Sequence, residues 1–273
     1  MNDPAFARLF RWTLIAALVV VCLFSAFPGL DIAIARQTYL GEGRFALSQV
    51  PGAQLVNDLL RHPLNIIAWL TVLVALGFRL AGVRPHLGRR NLEFAAFVIG
   101  VGPGLIVNAL LKLEVGRARP AYIQEFGGDL RFTPMMQVTD QCSWNCSFSS
   151  GEVAMTSAAV MVVLALCWHL IPPRQRRTAV VIGAALIMLS TTLRLGLGRH
   201  FMSDALASVA ISAFVTLWAW RLFQMDEARQ SITSGAVRAD LADLGRWSRA
   251  RIRQVGQGAR CLRRTITTRL TRS

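Results

Sequence analysis

Apolar residues come in long blocks along this chain rather than in amphipathic stripes. A helix that crosses a bilayer needs about 20 mostly apolar residues. Stretches of that kind recur at 12–28, 63–83, 93–111, 153–171, 178–193 and 203–223. The pattern predicts an all-α, polytopic membrane protein, a six-transmembrane-helix bundle over residues 1–225. The first block is too long, and too poorly followed by a small-x-small cleavage site, for a signal peptide, so it reads as a retained helix. From Asp226 the pattern changes: Arg246, Arg249, Arg251, Arg253, Arg260, Arg263, Arg264, Arg269 and Arg272 surround sparse apolar residues such as Leu241, Leu244, Trp247, Ile252 and Val255. Residues 226–273 read as a basic cytoplasmic tail. It is either an amphipathic helix on the anionic lipids of the inner leaflet or a solvated, disordered segment.

Charge placement orients the bundle. Arg8 and Arg11 precede the first block, Arg79, Arg84, Arg89 and Arg90 lie between the second and third, and Arg174, Arg176 and Arg177 lie between the fourth and fifth. Short loops rich in Lys and Arg mark the cytoplasmic side, so both termini are expected inside. The link between the first two blocks is balanced, with Asp31, Glu42 and Asp58 against Arg36, Arg44 and Arg61. Composition agrees with a membrane protein: 53% of the 273 residues are apolar and the mean hydropathy is +0.44. A formal charge of +15 would point to nucleic acid in a soluble protein. Here the loops and tail account for much of it, because anionic headgroups attract each basic residue by about 1 kcal/mol. No nucleic-acid partner is expected.

The five cysteines do not form a disulfide framework. Cys22 and Cys167 fall in apolar blocks and Cys261 in the tail. Cys142 and Cys146 share one outer loop, where a short disulfide staple or two free thiols are both open, and zinc lacks histidine partners nearby. The stretch 121–141, with Gly127-Gly128 and Thr133-Pro134, predicts irregular backbone rather than another helix. No small-xxx-small stripe assigns an interface between copies, so the oligomeric state is not readable.

Three strings lie where apolar blocks meet loops on the expected outer side. The first runs from Lys112 through Arg117 to Arg119-Pro120, the second is Phe148-Ser149-Ser150-Gly151-Glu152, and the third holds Arg194, His200 and Asp204. Each alone has a plain reading: cations snorkelling at helix ends, a serine capping a helix, a structural histidine at an interface. Together they supply cations, Lys112, Arg119 and Arg194 among them, a helix start whose free N–H groups suit an anion, and a histidine four residues from a carboxylate.

The strings resemble the signature of the type 2 phosphatidic acid phosphatase (PAP2) family, which shares its site with vanadium haloperoxidases. That signature is Lys-x6-Arg-Pro, Pro-Ser-Gly-His and Ser-Arg-x5-His-x3-Asp, and the first and third spacings fit without gaps. The resemblance covers about half the chain and implies a helical bundle with its site at the outer ends. It implies that Lys112, Arg119, Arg194 and the main chain at Ser150 and Gly151 neutralise phosphate. His200 would attack phosphorus to give a phosphohistidine, oriented by Asp204. No metal or cofactor is implied, because the lysine and arginines already supply the charge of a metal clamp, and Arg matches phosphate oxygens with a planar fork.

The second string departs from the signature: Glu152 stands where the family has the histidine thought to protonate the leaving oxygen. A glutamate can do this only if its proton affinity is raised, and an arginine cluster opposes that. Either Glu152 is desolvated, or another group donates, or Glu152 binds hydroxyls or amides; His62 is the substitute donor to weigh. The variant resembles a branch that includes bacterial lipid A 4′-phosphatases. The expectation is an inner-membrane lipid phosphatase facing the periplasm, with lipid A or a precursor as first substrate. Undecaprenyl diphosphate, glycerophospholipid phosphates and lipid-to-lipid phosphotransfer are the rivals. A transporter or silent lipid binder would have no use for a poised His200-Asp204 pair.

Overall fold

In the computed structural model the described residues are 4–80, 82, 84–240, 242, 243 and 246. Each apolar block becomes a helix. These are α1 (Pro4–Ala26), α3 (Ala53–Leu80), α4 (Arg89–Glu114), α5 (Gly151–Cys167), α6 (Pro173–Gly196) and α7 (Met202–Leu222). Among the described residues, five of them are long and apolar enough to cross a membrane; α5, at 17 residues, is the shorter apolar one. Between α1 and α3 lie a short helix, α2 (Gly29–Arg36), and a two-stranded antiparallel hairpin, β1 (Tyr39–Gly41) with β2 (Arg44–Phe45). Among the described residues the all-α expectation gives way at this hairpin.

One boundary differs from the sequence reading. Helix α3 starts at Ala53, not at 63, and carries Pro63 inside it. Proline costs a helix one N–H donor but not its φ, and here the helix runs through. Asn57, Asp58, Arg61 and His62, expected in an outer loop, therefore occupy the first turns of a rod. Helix α4 is also irregular, π-helical from Gly100 to Leu111 with Pro103 inside it. Asn108 Nδ2 donates 2.7 Å to the Pro103 carbonyl, restoring a partner to backbone that the irregular turn disturbs.

Helices α5 and α7 pack along each other at the centre and α1 lies on α7. In a bilayer helices gain nothing hydrophobic by leaving lipid, so close packing of small residues and interhelical hydrogen bonds hold them. The facing helices bury small residues, Ala154, Ser157 and Ala158 on α5 and Ala205, Ser208 and Ser212 on α7. Ser212 Oγ donates 3.0 Å to the Ala154 carbonyl.

The two ends of the bundle have different jobs. At one end the residues after α7, helical again over 225–228 and 234–240, fold onto the arginine-rich turn before α4. The Asp240 carboxylate accepts the N–H groups of His86 and Leu87, each at 2.8 Å. The rest of the basic tail, with most of its arginines, lies outside the described residues. At the other end α2, the hairpin, the loop 115–150 and the turn 197–201 form a cap around Tyr39, Phe45, Phe126, Phe132 and Phe201. The stretch 121–141 is irregular apart from two short 3-10 turns, Pro120–Tyr122 and Gln124–Phe126.

Candidate active site

All three strings meet at the capped end. Their side chains surround a cavity of about 380 Å³, with Lys112, Arg119, Gly151, Glu152, Arg194 and His200 in its wall beside Gln54, Arg61, Asn65, Asn108, Asn145 and Arg199. Ser150, the residue before α5, is buried, and its hydroxyl has no partner among the described residues. Asp204 lies behind the wall, also buried.

The cations are fixed from the loop. Lys112 ends the π-helical stretch of α4, and its Nζ donates 3.1 Å to Asn145 Oδ1. Arg119 Nη2 donates 2.7 Å to the carbonyl of the same Asn145. Asn145 has a left-handed backbone, φ 50°, which asparagine tolerates better than most residues. The disulfide joining Cys142 to Cys146 closes around it. Burial, and then the neighbouring Arg199, lower the proton affinity of Arg119 from its ordinary value. Crowded cations away from water are a site prepared for an anion.

Arg194 arrives from the last turn of α6. Its Nη1 sits 2.9 Å from Glu152 Oε2 and 3.3 Å from Asn57 Oδ1, while its buried Nε has no acceptor among the described residues. Glu152 is also 3.5 Å from Arg61 Nη1. The carboxylate therefore lies between two guanidinium groups. Helix α5 begins at Gly151 with no capping side chain, so its first N–H groups face the cavity end of the helix. A Cβ at Gly151 would lie 2.5 Å from Asn108 Oδ1, so a larger residue here would displace the Asn108 side chain.

His200 precedes α7 rather than lying on it. Its Nδ1 donates 2.7 Å to the Ser147 carbonyl, and Asp204 Oδ2 is 3.7 Å away. A carbonyl only accepts, so Nδ1 carries the hydrogen and Nε2 is left with a free lone pair. Burial pushes the imidazole down to about 3, against the opposing pull of Asp204, so at neutral pH the ring is uncharged. Asp204 is occupied elsewhere: it accepts from Ser147 Oγ at 2.5 Å, from the Phe201 N–H at 2.9 Å and from Arg117 Nη1 at 2.6 Å. It steadies His200 largely through Ser147, whose hydroxyl it holds while the carbonyl of that residue holds the ring.

Arg117 is the cation that the sequence left without a role. It is wholly buried and stacked 4.3 Å from the Phe201 ring. It joins Asp204 to Asp31 of α2, the latter at 2.8 Å, and donates to Ser203 Oγ at 2.9 Å. Asp31 also accepts the Ser203 N–H at 3.0 Å. Burial raises the proton affinity of Asp31, against the pull of Arg117. In the sequence, Asp31 reads only as a loop charge cancelling Arg36. Arg61 and Asn145 carry no sequence signal either, Arg61 because the expected helix boundary falls beyond it. His62 is exposed and contacts Arg61 at 3.0 Å; it is not in the cavity wall.

A PAP2 superfamily profile matches residues 93–228. A lipid A 4′-phosphatase of Rhizobium etli is 34% identical over 215 residues, covering 73% of this chain and 80% of that protein. One from Francisella tularensis subsp. novicida is 29% identical over 220 residues, 76% of this chain and 93% of that one. The crystal structure of a transmembrane PAP2-type phosphatidylglycerolphosphate phosphatase from Bacillus subtilis is similar at 20% identity with a TM-score of 0.48, covering 81% of this chain and 96% of that chain.

Proposed function

The chain belongs to the PAP2 superfamily and is a membrane lipid phosphatase, and on that premise we propose that it removes the 4′-phosphate of lipid A through a phosphohistidine on His200. The observation that carries the mechanism is the placement of His200, its Nδ1 held at 2.7 Å by the Ser147 carbonyl, in a cavity walled by Lys112, Arg119 and Arg194. The names of the relatives carry the choice of lipid. The arginine-rich turns gathered at the end away from the site favour six spans with both termini in the cytoplasm. The site then opens on the periplasmic face of the inner membrane, and the tail, which begins after Met225, meets anionic lipids on the other face.

Lys112, Arg119 and Arg194 with the first N–H groups of α5 hold the phosphate oxygens. The Nε2 lone pair of His200 forms a bond to phosphorus, and the bond from phosphorus to the lipid oxygen breaks. The ring gains positive charge, which Asp204 stabilises at 3.7 Å. Glu152 is paired with Arg194 and Arg61, which favours a counter-ion that aligns Arg194 over a proton donor. The leaving oxygen takes its proton from water. A second water attacks phosphorus, the P–N bond breaks, phosphate leaves with His200 neutral again, and the proton this water sheds neutralises the hydroxide left by the first. The cations stabilise charge that develops in transfer, which needs little else from the protein.

The test is phosphate release by the purified chain from lipid A, undecaprenyl diphosphate and phosphatidylglycerophosphate, with mass spectra of the lipids. Loss of the 4′-phosphate alone is expected, with none in His200→Ala. Activity retained in His200→Ala would end the phosphohistidine reading, and lipid A left intact would end the substrate assignment.

A further inference from the structure

A second cavity, of about 540 Å³, lies against the first. Its walls are α3, α5 and α6, and they are apolar: Leu64, Met155, Ala159, Val160, Ile182 and Leu186 set its character. Helix α6 comes close to α5 because Gly183 has no side chain; a Cβ there would lie 2.7 Å from Val160 Cγ1. The groove runs along α5 from Glu152 to Leu164, about 18 Å at 1.5 Å per residue, the length scale of a fatty-acyl chain.

The two cavities share Arg61, Asn65 and Glu152. A trough for bulk lipid alone would have no reason to end on an ionised junction. The junction is also incompletely paired. Arg61 engages Asp58 at 3.1 Å and Glu152 at 3.5 Å, yet its buried Nε finds no acceptor among the described residues. An unmade hydrogen bond on a buried donor is costly, and a lipid linkage group would complete it.

Resting on the lipid phosphatase reading, we infer that this groove holds one acyl chain of the substrate molecule while its phosphate lies among Lys112, Arg119 and Arg194. Arg61 and Asn65 face the polar linkage between the two and donate to its carbonyl or hydroxyl oxygens. The groove acts by position more than by affinity. An acyl chain moving from bilayer to groove passes between two apolar media, so it gains little hydrophobic free energy. What it gains is register, since the seated chain fixes how far the phosphate reaches toward His200.

The experiment compares lipid A in mixed micelles with its fully deacylated glucosamine disaccharide bisphosphate, using the full chain. Two variants obstruct the groove: Ala159→Phe inside it and Leu186→Trp at its exposed rim. For each, the ratio of kcat/KM on lipid A to kcat/KM on the deacylated compound is expected to fall at least about tenfold, the scale of a reacting group misplaced by less than 1 Å. In addition, lipid A carrying a diazirine midway along its acyl chains should crosslink α5 and α6 in the His200→Ala protein, and less so in Leu186→Trp. An unchanged ratio in Leu186→Trp, or crosslinks confined to other helices, overturns the groove assignment and leaves the phosphatase reading standing. A wild-type chain that releases phosphate from neither compound ends the lipid A assignment, and the groove assignment with it.

Discussion

Replacing Arg117 by methionine should unfold the site rather than weaken phosphate binding. Methionine keeps much of the volume and removes the charge, leaving Asp31 and Asp204 buried with no counter-ion between them. Two unit charges 4 Å apart attract by about 4 kcal/mol at an effective dielectric constant of about 20, and Arg117 makes two such contacts, at 2.8 and 2.6 Å. The cost of burying three charged groups offsets much of that gross sum. Removing one partner of a buried ion pair typically costs about 3–5 kcal/mol, because the remaining charge stays uncompensated. That range is the expectation for Arg117→Met, measured by equilibrium unfolding in detergent micelles. A second carboxylate makes the reasoning testable twice. In Arg117→Met/Asp31→Asn one stranded charge is gone, so the double variant should be more stable than Arg117→Met alone. Arg199→Met, a cavity-wall control, should cost under about 1 kcal/mol. If Arg117→Met unfolds like Arg199→Met and instead raises KM, Arg117 is a substrate ligand and is not what holds Asp204 in place behind His200.

Glu152→Gln should keep activity within about tenfold, since it removes a counter-ion and not a proton donor; a loss of the 10²–10⁴-fold usual for a general acid, reversed by Glu152→His, would restore the donor role. The pH profile follows from His200, whose imidazole is pushed down to about 3. The reactive form is the neutral one, so after correction for ionisation of the substrate phosphate, kcat/KM should not decline through pH 6.5, and an acid limb there would contradict the burial. The same shift affects stability: below pH 6.5 the unfolded ring takes up a proton that the folded one refuses until about pH 3. The His200 contribution is therefore complete above pH 6.5 and is lost as pH falls across that window, which unfolding titrations at pH 5 and 7 would register. Reducing the Cys142–Cys146 disulfide frees the loop that sets Asn145, so KM should rise while stability falls by no more than about 2 kcal/mol, the chain-entropy value for so small a ring; an unchanged KM would detach the staple from the site.

Much of this molecule is legible in its sequence because a bilayer imposes a coarse rule. A spanning rod must be apolar for about 20 residues, so six blocks become six helices at nearly their expected places, and cation-rich turns gather at one end. The site is legible for a related reason: a phosphate needs fixed cations, and polar side chains at rod ends are the ones whose spacing a sequence displays. What escapes is what contact across the cap decides. Arg117 and Arg119 stand two residues apart and read alike, yet one lies between Asp31 and Asp204 while the other faces the cavity. Nothing local separates them, because the partner that claims Arg117 lies 86 residues away in a short helix the hydropathy pattern does not show. Arg61 escapes through Pro63, since a proline invites a boundary where the chain in fact runs on. The same proline conceals the junction between the polar and apolar cavities, which exists only if the first turns of α3 are helical and present Asn57, Arg61 and Asn65 along one side. A carboxylate at the family's acid position makes sense in that setting. With Arg61 on the neighbouring helix, Glu152 has two cations to hold, and a histidine in its place would take the carboxylate from Arg194 and leave Arg61 with Asp58 alone.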